Sequence, residues 1–166
     1  MVYFMKFRVD GACRGNGYMG SIGAAACCLM RRDGSYFSRA EILPDYPTPT
    51  NQRAELQAMI LALKWALEKY EELDLNPRLA VEIYSDSQYA VNCLDKWIYT
   101  WQRNGWRTQS GKDVANQDLI EEAADVESEL EELGSVSYHW ISRSQNSIAD
   151  RCCNDALDEY EEEIGF

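Results

Sequence analysis

Apolar positions alternate through Phe7 and Val9, which predicts a strand ending at Asp10, with a tight turn in the glycine-rich run from Gly11 to Gly17. Residues 21–30 are apolar and free of breakers, as in a buried strand. Arg32-Asp33-Gly34 is a hairpin signal, and residues 35–43 return as a third strand. Pro44, Pro47 and Pro49 then impose an irregular connection.

The period changes at Thr50. Thr50 or Asn51 can cap a helix over residues 50–72, in which Ala54, Ala58, Leu61, Ala62 and Trp65 form one apolar face. Met59, Ile60, Leu63 and Leu67 widen that face, so the helix is expected to be largely buried. Residues 78–85 predict a strand, and Asp86-Ser87-Gln88 opens a short helix reaching about residue 94. Trp97, Trp101 and Trp106 follow among Lys96, Arg103, Arg107 and Lys112. A charged amphipathic helix is expected over 115–133, a short strand over 136–141 and a terminal helix over 146–163. The order β-β-β-α-β-α-α-β-α predicts an α/β fold with a mixed five-stranded sheet. Its first three strands are antiparallel, the later strands parallel, and helices cover both faces.

Length and composition fit one domain spanning residues 1–166, without repeats, linkers or low-complexity tracts. No apolar run approaches membrane-spanning length, and no partner membrane is expected. The six cysteines include the adjacent pairs Cys27-Cys28 and Cys152-Cys153 but no C-x-x-C. They read as reduced thiols of an intracellular protein. The net charge of −12 is unevenly spread. Residues 1–116 hold 14 basic and 13 acidic side chains, whereas residues 117–166 hold 2 and 15. A polyanion could therefore dock near the basic stretch 96–112, because local field rather than net charge decides docking.

Four acids stand near element ends or helix starts: Asp10, Glu55, Asp86 and Asp150. Strand ends meeting at one sheet edge are where α/β ligand sites form. Carboxylates brought together there repel unless cations neutralise them, and oxygen-only ligands select Mg²⁺ or Mn²⁺.

With these residues the sequence resembles type 1 ribonuclease H. The likeness is carried by Val9-Asp10-Gly11 with Asn16-Gly17, by Thr50-Asn51-Gln52-Arg53-Ala54-Glu55-Leu56, by Tyr84-Ser85-Asp86-Ser87-Gln88-Tyr89, and by Asn146 with Ala149-Asp150. A fifth block runs from Trp97 and Trp101 through Asn104-Gly105-Trp106 to Gly111-Lys112, Val114, Asn116 and Asp118-Leu119. Any one block is weak; five in order are a specific pattern. The resemblance implies a ribonuclease-H-like fold and hydrolysis of the RNA strand of an RNA–DNA hybrid, with two Mg²⁺ held by Asp10, Glu55, Asp86 and Asp150. It assigns contacts with RNA 2′-hydroxyls to Asn16, Asn51 and Gln52. A phosphate of the DNA strand falls to Thr50 and Asn116, and DNA sugars fall to Trp97 and Trp101. A monomer is expected.

The pattern departs from many family members in the loop before Asp150, which reads Ile141-Ser142-Arg143-Ser144-Gln145-Asn146 and holds no histidine. The one histidine, His139, falls inside the preceding strand. Arg143 is the residue expected to assist product release or phosphate positioning, and its permanent charge prevents proton shuttling at neutral pH. The alternatives are a catalytically silent docking module of the same fold, whose mark would be loss of an acid, and a resolvase or integrase, which the Trp-rich block fits poorly.

Overall fold

The sheet begins with a hairpin whose turn is set by Gly34 at φ +89° and by the Asp33 carboxylate, which accepts from the Ser35 backbone and hydroxyl. The computed structural model describes residues 1–165. Strands β1 (Val2–Arg14), β2 (Ile22–Met30), β3 (Tyr36–Ile42), β4 (Arg78–Ser85) and β5 (Gly134–Trp140) form one sheet in the order β3-β2-β1-β4-β5. The first three pair antiparallel, and β1-β4 and β4-β5 pair parallel. The mixed five-stranded sheet expected from the sequence is thus present.

One boundary differs in a way that matters for the site. Strand β1 does not end at Asp10 but continues to Arg14, because β2 pairs with it from Lys6↔Met30 to Arg14↔Ile22. What ends near Asp10 is the pairing with β4, whose last register position is Val9↔Ser85. Gly11 serves helix contact rather than a turn: a Cβ there would lie 2.2 Å from the Ala54 backbone.

Helix α1 (Asn51–Glu71) is capped by the Thr50 hydroxyl, which accepts from Arg53 N. Its buried Ala54, Ala58, Met59, Ala62 and Leu63 pack on one sheet face against Met5, Phe7, Val9, Val81 and Ile83. On the opposite face Ala24 and Ala26 admit α5 (Ser147–Glu163) through Cys153 and Leu157. The run of alanines in β2 lets helices approach from both sides. Truncating the fully buried Leu157 to Ala would cost about 2–5 kcal/mol.

The short helix expected to stop near residue 94 instead continues. Helix α2 (Gln88–Asn92) passes through one π-helical turn (Cys93–Trp97) into α3 (Ile98–Asn104), because no breaker intervenes before Gly105 at φ +77°. Helix α4 (Gln117–Glu131) begins two residues later than its pattern predicts, after Asn116 in the left-handed region. All six cysteines are free thiols, four of them buried. Among the described residues no helix is long and apolar enough to cross a membrane.

Candidate active site

Where β1 outruns β4, the sheet opens a crevice at the carboxyl ends of its parallel strands. Asp10 points into it from the central strand and is 7% exposed. Asp86 follows the last residue of β4, and the exposed Trp140 at the end of β5 donates its indole N–H to the Asp86 carbonyl at 3.1 Å. Glu55 lies on α1 where Gly11 lets that helix touch the sheet, and its Oε2 accepts from the Ser87 hydroxyl at 2.6 Å. Asp150 stands in the first turn of α5.

Asn146 ties these elements together. It is fully buried; its amide N–H₂ donates to the Val9 carbonyl at 2.8 Å and to Asp86 Oδ2 at 3.3 Å. Its backbone carbonyl accepts from Asp150 N at 3.1 Å, opening α5. One side chain therefore relates the strand of Asp10, the carboxylate of Asp86 and the helix of Asp150. The sequence reading placed Asn146 in a motif without a role, and no local signal marks it as a bridge across 137 positions.

The carboxylates act on one another in pairs: Asp86 and Asp150 on Asp10, and Asp86 on Glu55. Burial, and then the charges of Asp86 and Asp150, push Asp10 up to about 8. Burial also raises Glu55, with a further rise from Asp86; the Ser87 hydroxyl and the Arg143 charge oppose it. A second deficit accompanies this one: the buried Asn146 Oδ1 has no donor. Among the described residues no three acidic, His or Cys side chains reach metal-ligand spacing. A cluster of hard oxygens short of positive charge, beside an orphaned amide oxygen, fits a hydrated divalent cation such as Mg²⁺ or Mn²⁺.

The residues that the resemblance assigns to substrate lie in the loop after β1, at the start of α1 and in the segment 97–116. The glycine-rich loop is stitched to the start of α1: Asn16 Oδ1 accepts from Asn51 N at 2.8 Å, and Asn51 Oδ1 accepts from Cys13 N at 2.9 Å. The acceptor half of each amide is thus occupied, while neither N–H₂ group has a protein partner among the described residues. Gln52 is exposed beside them. Thr50 retains its hydroxyl proton while capping α1, and Asn116 is braced by Tyr89 Oη at 2.9 Å and Arg53 at 3.4 Å. Arg53, unassigned in the sequence reading, connects Thr50 to Asn116 and pairs bidentately with Asp118 at 2.7 and 3.0 Å.

Trp97 and Trp101 are half-buried and pack on the core in a ladder from Tyr89 to Trp106, with centroid separations of 5.8–6.2 Å. Nearby, Arg107 is ion-paired with Asp113, whereas Lys96, Arg103 and Lys112 make no ion pair among the described residues. Arg143 occupies a 3₁₀ turn (Arg143–Gln145) between β5 and α5 and is exposed. His139 stacks on Tyr84 within the sheet, with centroids 4.8 Å apart, and bonds Ser137.

The strand order, crevice and helices define a ribonuclease-H-like α/β protein. The foamy viral protease-reverse transcriptase in complex with RNA/DNA hybrid superposes with a TM-score of 0.70 at 16% identity, covering 91% of this chain and 19% of that one. The sequence profile of the family described as RNase H matches residues 4–158. The chain is 33% identical over 155 residues to a protein named Ribonuclease H from Thermosynechococcus vestitus, covering 93% of this chain and 86% of the relative. It is 36% identical over 154 residues to the Ribonuclease H of Halorhodospira halophila, covering 90% of each. The chain belongs to the ribonuclease H family, a family of nucleases.

Proposed function

We propose that the chain is an endonuclease that hydrolyses the RNA strand of RNA–DNA hybrids, leaving 5′-phosphates, with Asp10, Glu55, Asp86 and Asp150 as ligands of two Mg²⁺ ions. The observation that carries this reading is the placement of Asp86 by Asn146, which also bonds β1 at Val9 and opens α5 at Asp150, beside an Asp10 that burial and then the charges of Asp86 and Asp150 push up to about 8. Mn²⁺ would satisfy the same oxygen set. When bound, such ions supply an activated water and stabilisation of the leaving 3′ oxygen.

The chain's own groups do the positioning. Asn146 holds Asp86 in one orientation through its 3.3 Å contact, and Ser87 does the same for Glu55. The free N–H₂ groups of Asn16 and Asn51, with Gln52, meet 2′-hydroxyls, the only groups that separate RNA from DNA at a given backbone position. The Thr50 hydroxyl donates to a DNA-strand phosphate, and Asn116 completes that pocket. Trp97 and Trp101 offer their open surface to the DNA sugars. Arg143, whose charge already reaches Glu55, steadies the scissile or departing phosphate and carries no titrating proton. Presence of all four acids sets the chain apart from a silent docking module.

The test is cleavage of end-labelled RNA–DNA hybrid beside double-stranded RNA and double-stranded DNA, with Mg²⁺, with Mn²⁺ and with chelator. Cleavage of the hybrid alone, dependent on metal and leaving 5′-phosphates, is expected. Hydrolysis that survives chelation, or that spares the hybrid, would overturn the reading.

A further inference from the structure

The far end of the sheet carries a feature that the crevice does not use. Strand β2 pairs with β1 only from Lys6 onward, because the β2-β3 hairpin turns back after Met30. Residues 2–5 of β1 pair with residues 78–81 of β4 on one side and, among the described residues, with no strand on the other. Alternate backbone N–H and C=O groups along this edge therefore lack a strand partner. At about 3.4 Å per residue the open edge is about 14 Å long.

The edge is the floor of a notch of about 700 Å³. Leu29 and Phe37 supply apolar wall, and Val2, Phe4 and Phe37 stay 46%, 66% and 53% exposed. Four cations, Lys6, Arg31, Arg32 and Lys69, line it against one acid, Glu82, and Lys69 is itself paired with Glu72 at 3.7 Å. Arg31 lies 4.5 Å from the centroid of Phe37, and Lys6 lies 5.5 Å from that of Tyr84. Neither they nor Arg32 makes an ion pair among the described residues. In a chain of net charge −12 this is a local excess of free positive charge.

We propose that the notch docks an extended, acidic segment of a partner protein, which adds as a strand along residues 2–5 of β1 beyond the end of β2. The occupant follows from two requirements. Free backbone donors and acceptors alternate along the edge, and a peptide backbone satisfies both, whereas a phosphodiester chain only accepts. The lining cations require that the segment be acidic. A second copy of the chain does not meet the second requirement in extended form, because its acidic excess lies in α4 and α5.

The probe is a short fluorescein-labelled peptide alternating valine and glutamate, followed by anisotropy and by amide hydrogen exchange of the full chain. Binding is expected, with slowed exchange at residues 2–5. Arg31→Glu with Arg32→Glu, both on the exposed hairpin tip, should weaken it about tenfold or more. Two further peptides are N-methylated at every second amide, one in each register. One should bind like the parent, and the other should lose binding, since only one set of amides faces the edge. No binding, binding without protection of residues 2–5, or equal binding by both methylated peptides would overturn the proposal. So would protection of residues 2–5 by oligouridine or by self-association alone. Hybrid cleavage should be unchanged in the double variant, so the outcome is independent of the catalytic reading.

Discussion

Two regions of this molecule crowd carboxylates into partly buried space, and they differ in what surrounds the acids. In the crevice, Asp10 is pushed up to about 8 by burial and by Asp86 and Asp150. Between α4 and β5, Glu127 is pushed up to about 7 by burial, with Glu131 and Asp95 adding to the rise and Tyr138 opposing it. In the crevice the Asn146 amide and the Ser87 hydroxyl hold individual carboxylate oxygens, and Arg143 adds a cation. In the seam no ion pair reaches Glu127, Glu131 or Asp95 among the described residues. A raised carboxyl pKa thus marks burial first, and the neighbouring acids second, in both places. Oriented donors beside the acids distinguish the crevice, the proposed cation site, from the seam.

The sharpest way to break this contrast is mutation in both regions. Asp10→Asn or Asp86→Asn should lower hybrid cleavage in Mg²⁺ on the order of 10³-fold, about 4 kcal/mol of barrier, with hybrid binding retained. Glu127→Gln should leave the rate within about twofold, as a distant substitution does. Comparable losses from both, in steady-state assays, would mean that the crevice holds no privileged acids.

Next in size is Asn146→Ala. It leaves the Val9 carbonyl without its donor and frees Asp86, so it should cost about 1–3 kcal/mol in urea unfolding. It should also weaken Mg²⁺ affinity about 10–100-fold, as loss of an outer-shell partner does. A variant that loses stability but binds Mg²⁺ normally by calorimetry would restrict Asn146 to the scaffold.

The seam makes a smaller, pH-dependent contribution. Glu127 has a folded-state pKa near 7 against an ordinary 4.5, so the folded chain holds this proton more tightly than the unfolded chain. Its contribution to stability is whole below about 4.5 and is lost as pH rises through about 7. Thermal midpoints measured in Mg²⁺ from acid to mildly basic pH should fall more steeply for the parent than for Glu127→Gln. Parallel curves would remove the seam from the balance.

The smallest effect concerns salt. Arg103→Ala with Lys112→Ala should flatten the log–log dependence of hybrid affinity on salt by about 1–2, near 0.9 per lost phosphate contact. Arg107→Ala should change it less, because Arg107 already faces Asp113. A slope untouched by the first pair would place the polyanion elsewhere on the surface.

Much of this fold is written in short stretches. Alternation marks β1, the alanine run marks the doubly covered β2, and the Asp33-Gly34 turn closes the hairpin because each depends on neighbours in sequence. Thr50 is legible as a cap for the same reason. Gly11 was open to misreading: a glycine that permits a turn and one that admits a helix look alike, and only α1 lying against it separates them. The helix expected to stop near residue 94 runs on to Asn104, and the tryptophan rings pack as a ladder on the core, a contact that spacing in sequence does not reveal.

The four acids were recognisable as residue types near element boundaries, and a family pattern ordered them along the chain. Their spatial relation is decided by tertiary structure. Asp10 and Asp150 are 140 positions apart, and what relates them is the register of β1 beside β4, where pairing stops at Val9, and the hydrogen bond from Asn146 to the Val9 carbonyl. The unpaired edge of β1 has the same origin: nothing within residues 2–5 states that β2 will turn back at Met30. Local sequence determined periodicity, caps and turns, since these depend on a few adjacent dihedrals. The crevice and the notch come from strand registers, which are settled only when distant apolar faces are buried together.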